Sequence, residues 1–461
     1  MVSNLERTSN FEHISSSETF KDLDRAIDLS DTAVRLIPQD HPDRGLYLQN
    51  YATRLSYRYE WTESPDDLDR KLETLVEGWR CDSSPPSVRI NLARGAAQIL
   101  ALRGDWKESS QLLKGAISLL PTISPRYLSP ADMQSLLADL SGLASTAAAV
   151  ALNAGEEPRE ALRLLELGRG VISGLLMDMR GDISDLKLKY PKLADKFTLL
   201  RDELDSPVKN TAPFSPMNDD VSSWESKVKR RREATREFDE IVEEIRSQPE
   251  FRNFIQLPDT EDLMTAAGSG PIIVVNMSFY RSDAFLIKTD RIETIKLPHL
   301  AEPEVRRKVE NLSPTSDLAS LLEWLWQSVC CPCLDALGFK GPIIDNEWPH
   351  IWWVPTGLLS QLPLHAAGIY TGTSTDTVLD RVISSYASSI KALVHNRQQT
   401  PQHATEESQV DSAILVAMQN TPGLSGHRNL PFAAKEVEIL GGSVHRFSLM
   451  QSCHSDLKKA F

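Results

Sequence analysis

The segments DLDRAIDLSDTAVRLIP (22–38) and DLDRKLETLVEGW (67–79) begin with the same four residues and continue with apolar positions at helical spacing. Between them, HPDRGLYLQNYATRLSYRYEWT (41–62) carries Leu46, Leu48, Tyr51, Leu55 and Tyr59 at intervals that predict another helix. Each unit is therefore a pair of amphipathic helices with no means of burying its apolar stripe alone. Stacking such pairs into an α-solenoid solves that problem. Two weaker units follow. In residues 87–121, Ala93 and Ala97 permit close helix approach, Gly104-Asp105 makes the turn, and Pro121 stops the second helix. Residues 133–176 repeat the arrangement through LASTAAAVALNAGEEPREALRLLELGRGVISGLL (143–176). Alternation of small and large residues around a Gly turn marks a divergent set of helical repeats; an unspecialised helical bundle is the plainer alternative.

A different helical element comes next. Leu186, Tyr190, Leu193, Phe197, Leu200 and Leu204 alternate four and three apart, the stripe of a coiled-coil seam. Pro191 belongs at a helix start, since inside a helix it removes a hydrogen bond and clashes with the preceding turn. The stretch DSPVKNTAPFSPMNDD (205–220) reads as a flexible connection, and Trp224, Val228, Phe238, Ile241 and Ile245 mark a second amphipathic helix, giving an antiparallel hairpin. The basic run KVKRRR (227–232) invites a nuclear-localisation reading, but EATREFDEIVEEI (233–245) offers acids three and four residues away, so it is expected to be a solvated helix face.

From about residue 258 the period changes. PIIVVNMS (271–278), DAFLIKT (283–289), IETIKL (292–297), HIWWVP (350–355) and AILVAM (413–418) read as strands, with helices at 318–329 and 432–440. Strands alternating with helices imply an α/β sheet, so the fold class expected is multidomain α + α/β.

Composition narrows the function classes. A net charge of −14 disfavours nucleic acid and anionic membrane as partners, because both select clustered positive charge. The N-terminus lacks a secretory pattern, and no run of about 18 apolar residues exists to span a bilayer. Five cysteines, three of them crowded at 330–333, make no disulfide framework. These features predict a cytoplasmic protein, with the nucleus as the alternative.

Candidate chemistry is sparse. Cys330, Cys331 and Cys333 contain a C-x-x-C spacing, yet a zinc site needs a second ligand pair and only Cys81 and Cys453 remain, isolated. His299 and His350 show no paired ligand spacing. The cysteines are expected as small buried thiols in a helix–turn–helix corner rather than as redox or metal groups. AAGSGP (266–271) lacks the residues of a phosphate cradle and reads as a turn before a strand. His365 is the one candidate base. Nucleophilic catalysis needs a thiol or hydroxyl in reach and an oxyanion hole beside it. The neighbourhood of Cys453, MQSCHSD (450–456), is polar and presents no strand end, so His365 is expected to be a loop histidine bonded to backbone around the Pro363 turn.

The stretch WPHIWWVPTGLLSQLPLHAAG (348–368) resembles the signature of the fungal CHAT domain, a caspase-like domain commonly preceded by tetratricopeptide repeats. Residues 161–207, RVISSYASSIKALV (381–394) and LPFAAKEVEIL (430–440) resemble further family segments in order and spacing. The resemblance implies a clan of cysteine endopeptidases with a Cys-His dyad, whose His-Gly strand end and nucleophilic cysteine follow the segment matched by 430–440. In the family pattern His365 matches an upstream Leu-Pro-x-His-Ala-Ala motif and not the dyad. Carried over residue by residue, the pattern assigns no catalytic, cofactor-binding or metal residue within this sequence.

The expected organisation is tetratricopeptide-like repeats over 20–180, a coiled-coil-like hairpin over 185–250, and the N-terminal portion of a caspase-like α/β domain over 258–461. The expected function is a protein–protein interaction scaffold of the repeat-plus-CHAT type, catalytically incomplete as given, with protein partners on the repeats. The alternative is a cysteine endopeptidase whose His-Gly and Cys segments lie beyond Phe461.

Overall fold

In the computed structural model the described residues are 17–123, 142–176, 182–205, 221–252, 254–255, 260–312, 317–343, 348–371, 374–399 and the isolated position 435. The chain up to Gln398 forms one compact unit and Gln399–Phe461 a second. All but the first residue of the connection expected at 205–220, the strand expected at 413–418, all but one residue of the helix expected at 432–440, and Cys453 lie outside the described residues.

Helices α1 (Ser17–Leu36), α2 (Arg44–Thr62), α3 (Pro65–Trp79), α4 (Pro86–Arg103), α5 (Trp106–Leu119), α6 (Leu143–Asn153) and α7 (Pro158–Leu176) form a stacked array in which consecutive helices pack on one another. The turns after α4 and α6 are built alike. Gly104 and Gly155 take left-handed conformations (φ 85° and 82°), and the next amide closes back on the helix, Asp105 to Leu100 and Glu156 to Ala151. Only glycine adopts that backbone cheaply. Close approach is set by small residues: Ala93 and Ala97 are fully buried, and a Cβ on Gly168 would lie 2.6 Å from the Ala144 side chain. On α2 the buried stripe is Leu48, Tyr51 and Leu55. Leu46, expected on that stripe, is exposed instead, because two residues of helix turn its side chain to the far side.

Three further helices, α8 (Asp182–Lys189), α9 (Pro191–Asp205) and α10 (Val221–Arg246), make the hairpin. The helix breaks before Pro191, and Leu186, Phe197, Leu200 and Leu204 meet Phe238, Ile241 and Ile245 in a core of their own. Glu203 contacts Arg230 at 2.6 Å, Phe197 lies against Phe238, and Lys189 reaches Glu250 at 2.7 Å, so the two arms run antiparallel. Lys229, Arg230 and Arg232 are exposed, as a solvated helix face requires, but the arginines of the run find partners other than acids three and four residues away. Arg230 pairs with Glu203 across the hairpin and with Glu237, Arg232 reaches Asp40, and Arg231 donates to the Leu204 carbonyl. Once a second helix lies alongside, its acceptors are as close as any on the same helix.

A short helix α11 (Thr260–Ala266) leads into the sheet: β1 (Ile272–Met277), β2 (Ser282–Ile287), β3 (Ile292–Lys296), β4 (His350–Pro355) and β5 (Ile383–Tyr386) in the order β3-β2-β1-β4-β5. The β1-β2-β3 part is an antiparallel meander, whereas β1, β4 and β5 run parallel. Between β3 and β4 lie α12 (Glu302–Glu310), α13 (Leu318–Leu325), a π-turn (Trp326–Cys330) and α14 (Cys331–Leu337). After β5 comes α15 (Ile390–Gln399).

Alternation along the strands gives the sheet two apolar faces. Ile272, Val274, Phe285, Ile287 and Val354 share a core with α4 to α7 and α15. Ile273, Val275, Leu286, Ile351 and Trp353 share another with the β3–β4 helices and the turn after β4. The array is thus stacked directly on one face of the sheet. Polar contacts fix its register there: Asn276 donates to the Ser145 carbonyl at 3.0 Å, and Arg281 donates to Asn153 at 3.1 Å.

The cysteines do not occupy a helix–turn–helix corner. The helix continues from α13 into α14, with the Cys331 amide bonded back to the Trp326 carbonyl five residues earlier. That wider turn absorbs Pro332, which lacks the donor a regular helix requires.

Candidate functional site at the carboxyl ends of the parallel strands

In open sheets the crevice beyond the carboxyl ends of parallel strands is where ligands collect. Here β4 ends at Pro355 and β5 at Tyr386, and beyond them opens a cavity of about 660 Å³ lined by Arg169, Ser360, Gln361, His365, Tyr386 and Ser388 among others. Two 3₁₀ turns, Gly357–Gln361 and Leu364–Ala366, form one wall. They follow β4 where the chain turns at Gly357, whose left-handed φ of 55° leaves the extended region.

His365 is exposed, and its surroundings differ from the backbone-bonded loop histidine expected. Its amide donates to the Tyr386 hydroxyl at 2.9 Å, and that hydroxyl lies 3.0 Å from Nδ1, with the two rings edge to face. The hydroxyl accepts from the amide and shares a second hydrogen bond with Nδ1, donating to it in the neutral tautomer that carries its proton on Nε2. Burial pushes the Tyr386 phenol above its ordinary range, against the pull of the His365 and Leu364 amides, so it remains a neutral donor.

The cysteine cluster and His365 are brought near one another, but not as a dyad. Cys330 donates its thiol to the Leu364 carbonyl at 3.4 Å from the buried side of the turn. Burial raises the Cys330 thiol well above its ordinary value, with the neighbouring Cys333 and Cys331 adding to the effect. Cys333 is raised by burial and then by Cys331; the half-buried Cys331 is raised by burial and then by Asp335. Thiolate is the reactive form, so all three should react slowly at neutral pH. Peptide mapping after iodoacetamide treatment of the native chain should find Cys330 and Cys333 unmodified, and Cys331 labelled faster as pH rises above 8. Early labelling of Cys330 would show an open turn.

Of the other candidates, His299 is exposed. His350 Nε2 lies 2.8 Å from the Ser385 hydroxyl across β4 and β5, and the buried Cys81 thiol bonds the Glu77 carbonyl. Among the described residues no three His, Cys, Asp or Glu side chains converge as metal ligands. No described helix is long and apolar enough to cross a membrane.

Sequence reasoning missed Glu166 and Arg169, which reach the cavity region from α7. Glu166 is buried; its carboxylate accepts from the Ile390 amide at 2.9 Å and from Arg169 at 3.1 Å. Burial raises the Glu166 carboxyl, while Arg169 and the Ile390 and Lys391 amides pull it partway back. The signal was present: Leu162, Leu165, Glu166 and Arg169 follow one stripe of α7, so the ion pair continues an apolar face.

No protein-family model matches the chain, and no curated protein matches it.

Proposed function

We propose that this chain is a protein-interaction scaffold of the repeat-plus-CHAT type, its tetratricopeptide-like array presenting a partner surface and its caspase-like α/β part anchoring the array. The resemblance of residues 348–368 to the CHAT signature supports the second half of that reading. The observation that carries the first half is the asymmetry of the array. Its last helices are covered by the sheet, whereas the first pair leaves Leu36, Tyr47, Tyr57 and Trp61 exposed. Exposed Tyr and Trp side chains on a rigid helix are the residues that dominate protein interfaces.

Crosslinking capture from the source cells, quantified for the intact chain and for Tyr57→Glu/Trp61→Glu, tests this. Specific partners should fall about tenfold or more in the variant at an unchanged melting temperature. An unchanged partner set, or robust thiol-dependent cleavage of a fluorogenic peptide library by the wild-type chain, would remove the scaffold reading.

A further inference from the structure

Two side chains three residues apart on α7 hold the far end of the sheet. Glu166 accepts from the amide of Ile390, the first residue of α15, at 2.9 Å, and from Arg169 at 3.1 Å. Arg169 also donates to the Ser388 carbonyl at 2.7 Å and to the Pro355 carbonyl at 3.5 Å. Pro355 ends β4, and Ser388 and Ile390 follow Tyr386 within one short turn. The Glu166 side chain is 2% exposed, so no water stands ready to replace a lost donor. Its carboxylate faces the N-terminus of α15, where the helix dipole favours negative charge.

We propose that Glu166 and Arg169 form a latch through which α7 of the helical array sets the position of the 387–390 turn, and with it the Tyr386 contact that orients His365. The inference stands on this geometry alone and holds whether or not the α/β part is of the CHAT type. The chain of contacts is short. Displacing α7 strips the buried carboxylate of its amide donor and pulls Arg169 from the carbonyls of both strand ends. Because a buried carboxylate is costly without its donors, the turn follows the helix rather than parting from it. Tyr386 is the last residue of β5, paired with Trp353 and directly preceding that turn, and its hydroxyl is the shared partner of the His365 amide and ring. Movement of α7 is thereby converted into a change at the imidazole lining the cavity. A partner gripping the array would thus reach the cavity without touching it, provided it shifts α7.

The test uses the full chain and two readouts: hydrogen exchange resolved to single amides around 386–393, and the histidine ¹⁵N spectrum, which reports ring tautomer. Tyr386→Phe supplies the reference for a released His365. Glu166→Gln and the milder Arg169→Lys should each speed exchange at Ile390 and Lys391 about ten- to a hundredfold, leave the amides of β1 unchanged, and move the His365 tautomer toward the Tyr386→Phe spectrum. If Glu166→Gln does not fold, Arg169→Lys carries the same comparison. Faster exchange at 390–391 with an unaltered His365 spectrum would overturn the proposal, since the turn would then be loosened without consequence at the ring. Uniform acceleration including β1 in Arg169→Lys would also overturn it, by showing general destabilisation in place of a latch.

Discussion

Replacing Gly270 by alanine should destabilise the protein by about 3 kcal/mol or more, whereas Gly268→Ala two residues earlier should stay within about 1 kcal/mol. Gly270 has φ 120° and ψ 144°, a region that side chains other than hydrogen rarely enter. An added Cβ would lie 2.0 Å from the His350 carbonyl oxygen and 2.8 Å from its carbon, both backbone atoms that no rotamer change can remove. The neighbouring Trp352 amide bonds the Pro271 carbonyl at 2.9 Å, so relieving the clash means parting β1 from β4 at the sheet's centre. Gly268 has nothing within 4 Å of its would-be Cβ. Urea unfolding read by tryptophan fluorescence decides the matter. Equal midpoints for the two variants would mean that the β1–β4 approach is looser than described.

A loss of about 3–5 kcal/mol is expected for Arg281→Met, with part of it recovered in Arg281→Met/Asp283→Leu. Asp283 is fully buried on β2, and Arg281 caps it with two donors, Nε at 2.7 Å being one, while a third reaches Asn153 on α6. Removing the guanidinium leaves a buried carboxylate uncompensated, the costlier half of breaking such a pair. Removing both charges leaves only a packing change and the orphaned Asn153. Recovery in the double variant separates charge burial from shape in the same urea experiment. A single variant as stable as wild type would show that water reaches Asp283.

The sequence displayed the helical array plainly because its signals are local: shared DLDR openings at Asp22 and Asp67, stripes at helical spacing, and Gly-acid turns at Gly104 and Gly155. The strands β1 and β4 were legible for the same reason, being apolar runs bounded by turn residues. By contrast, β5 is four residues with two serines and an exposed Ile383, and strand identity there comes from pairing with β4. The charged helix α12 was missed because only Val305 is buried on it. The site was the least legible part. His365 was visible as a motif, but its partner Tyr386 lies 21 residues on, Cys330 approaches through the Leu364 carbonyl, and Arg169 arrives from a helix 186 residues before Pro355. Contacts of that separation are set by strand pairing, by packing within the α/β part and, for Arg169, by the stacking of the array on the sheet, none of which a local pattern encodes.

Native-state hydrogen exchange as a function of denaturant tests that stacking most directly. Helix α6 and strand β1 bury their facing side chains in one core and are tied by the Asn276 bond to Ser145. The slowest amides within Leu143–Asn153 and Ile272–Met277 should therefore merge onto one unfolding isotherm, with equal free energy and equal denaturant slope, and Asn276→Ala should lower both together. Exchange of α6 through its own opening, at lower free energy and smaller slope while β1 stays protected and Asn276→Ala moves only one of them, would contradict it.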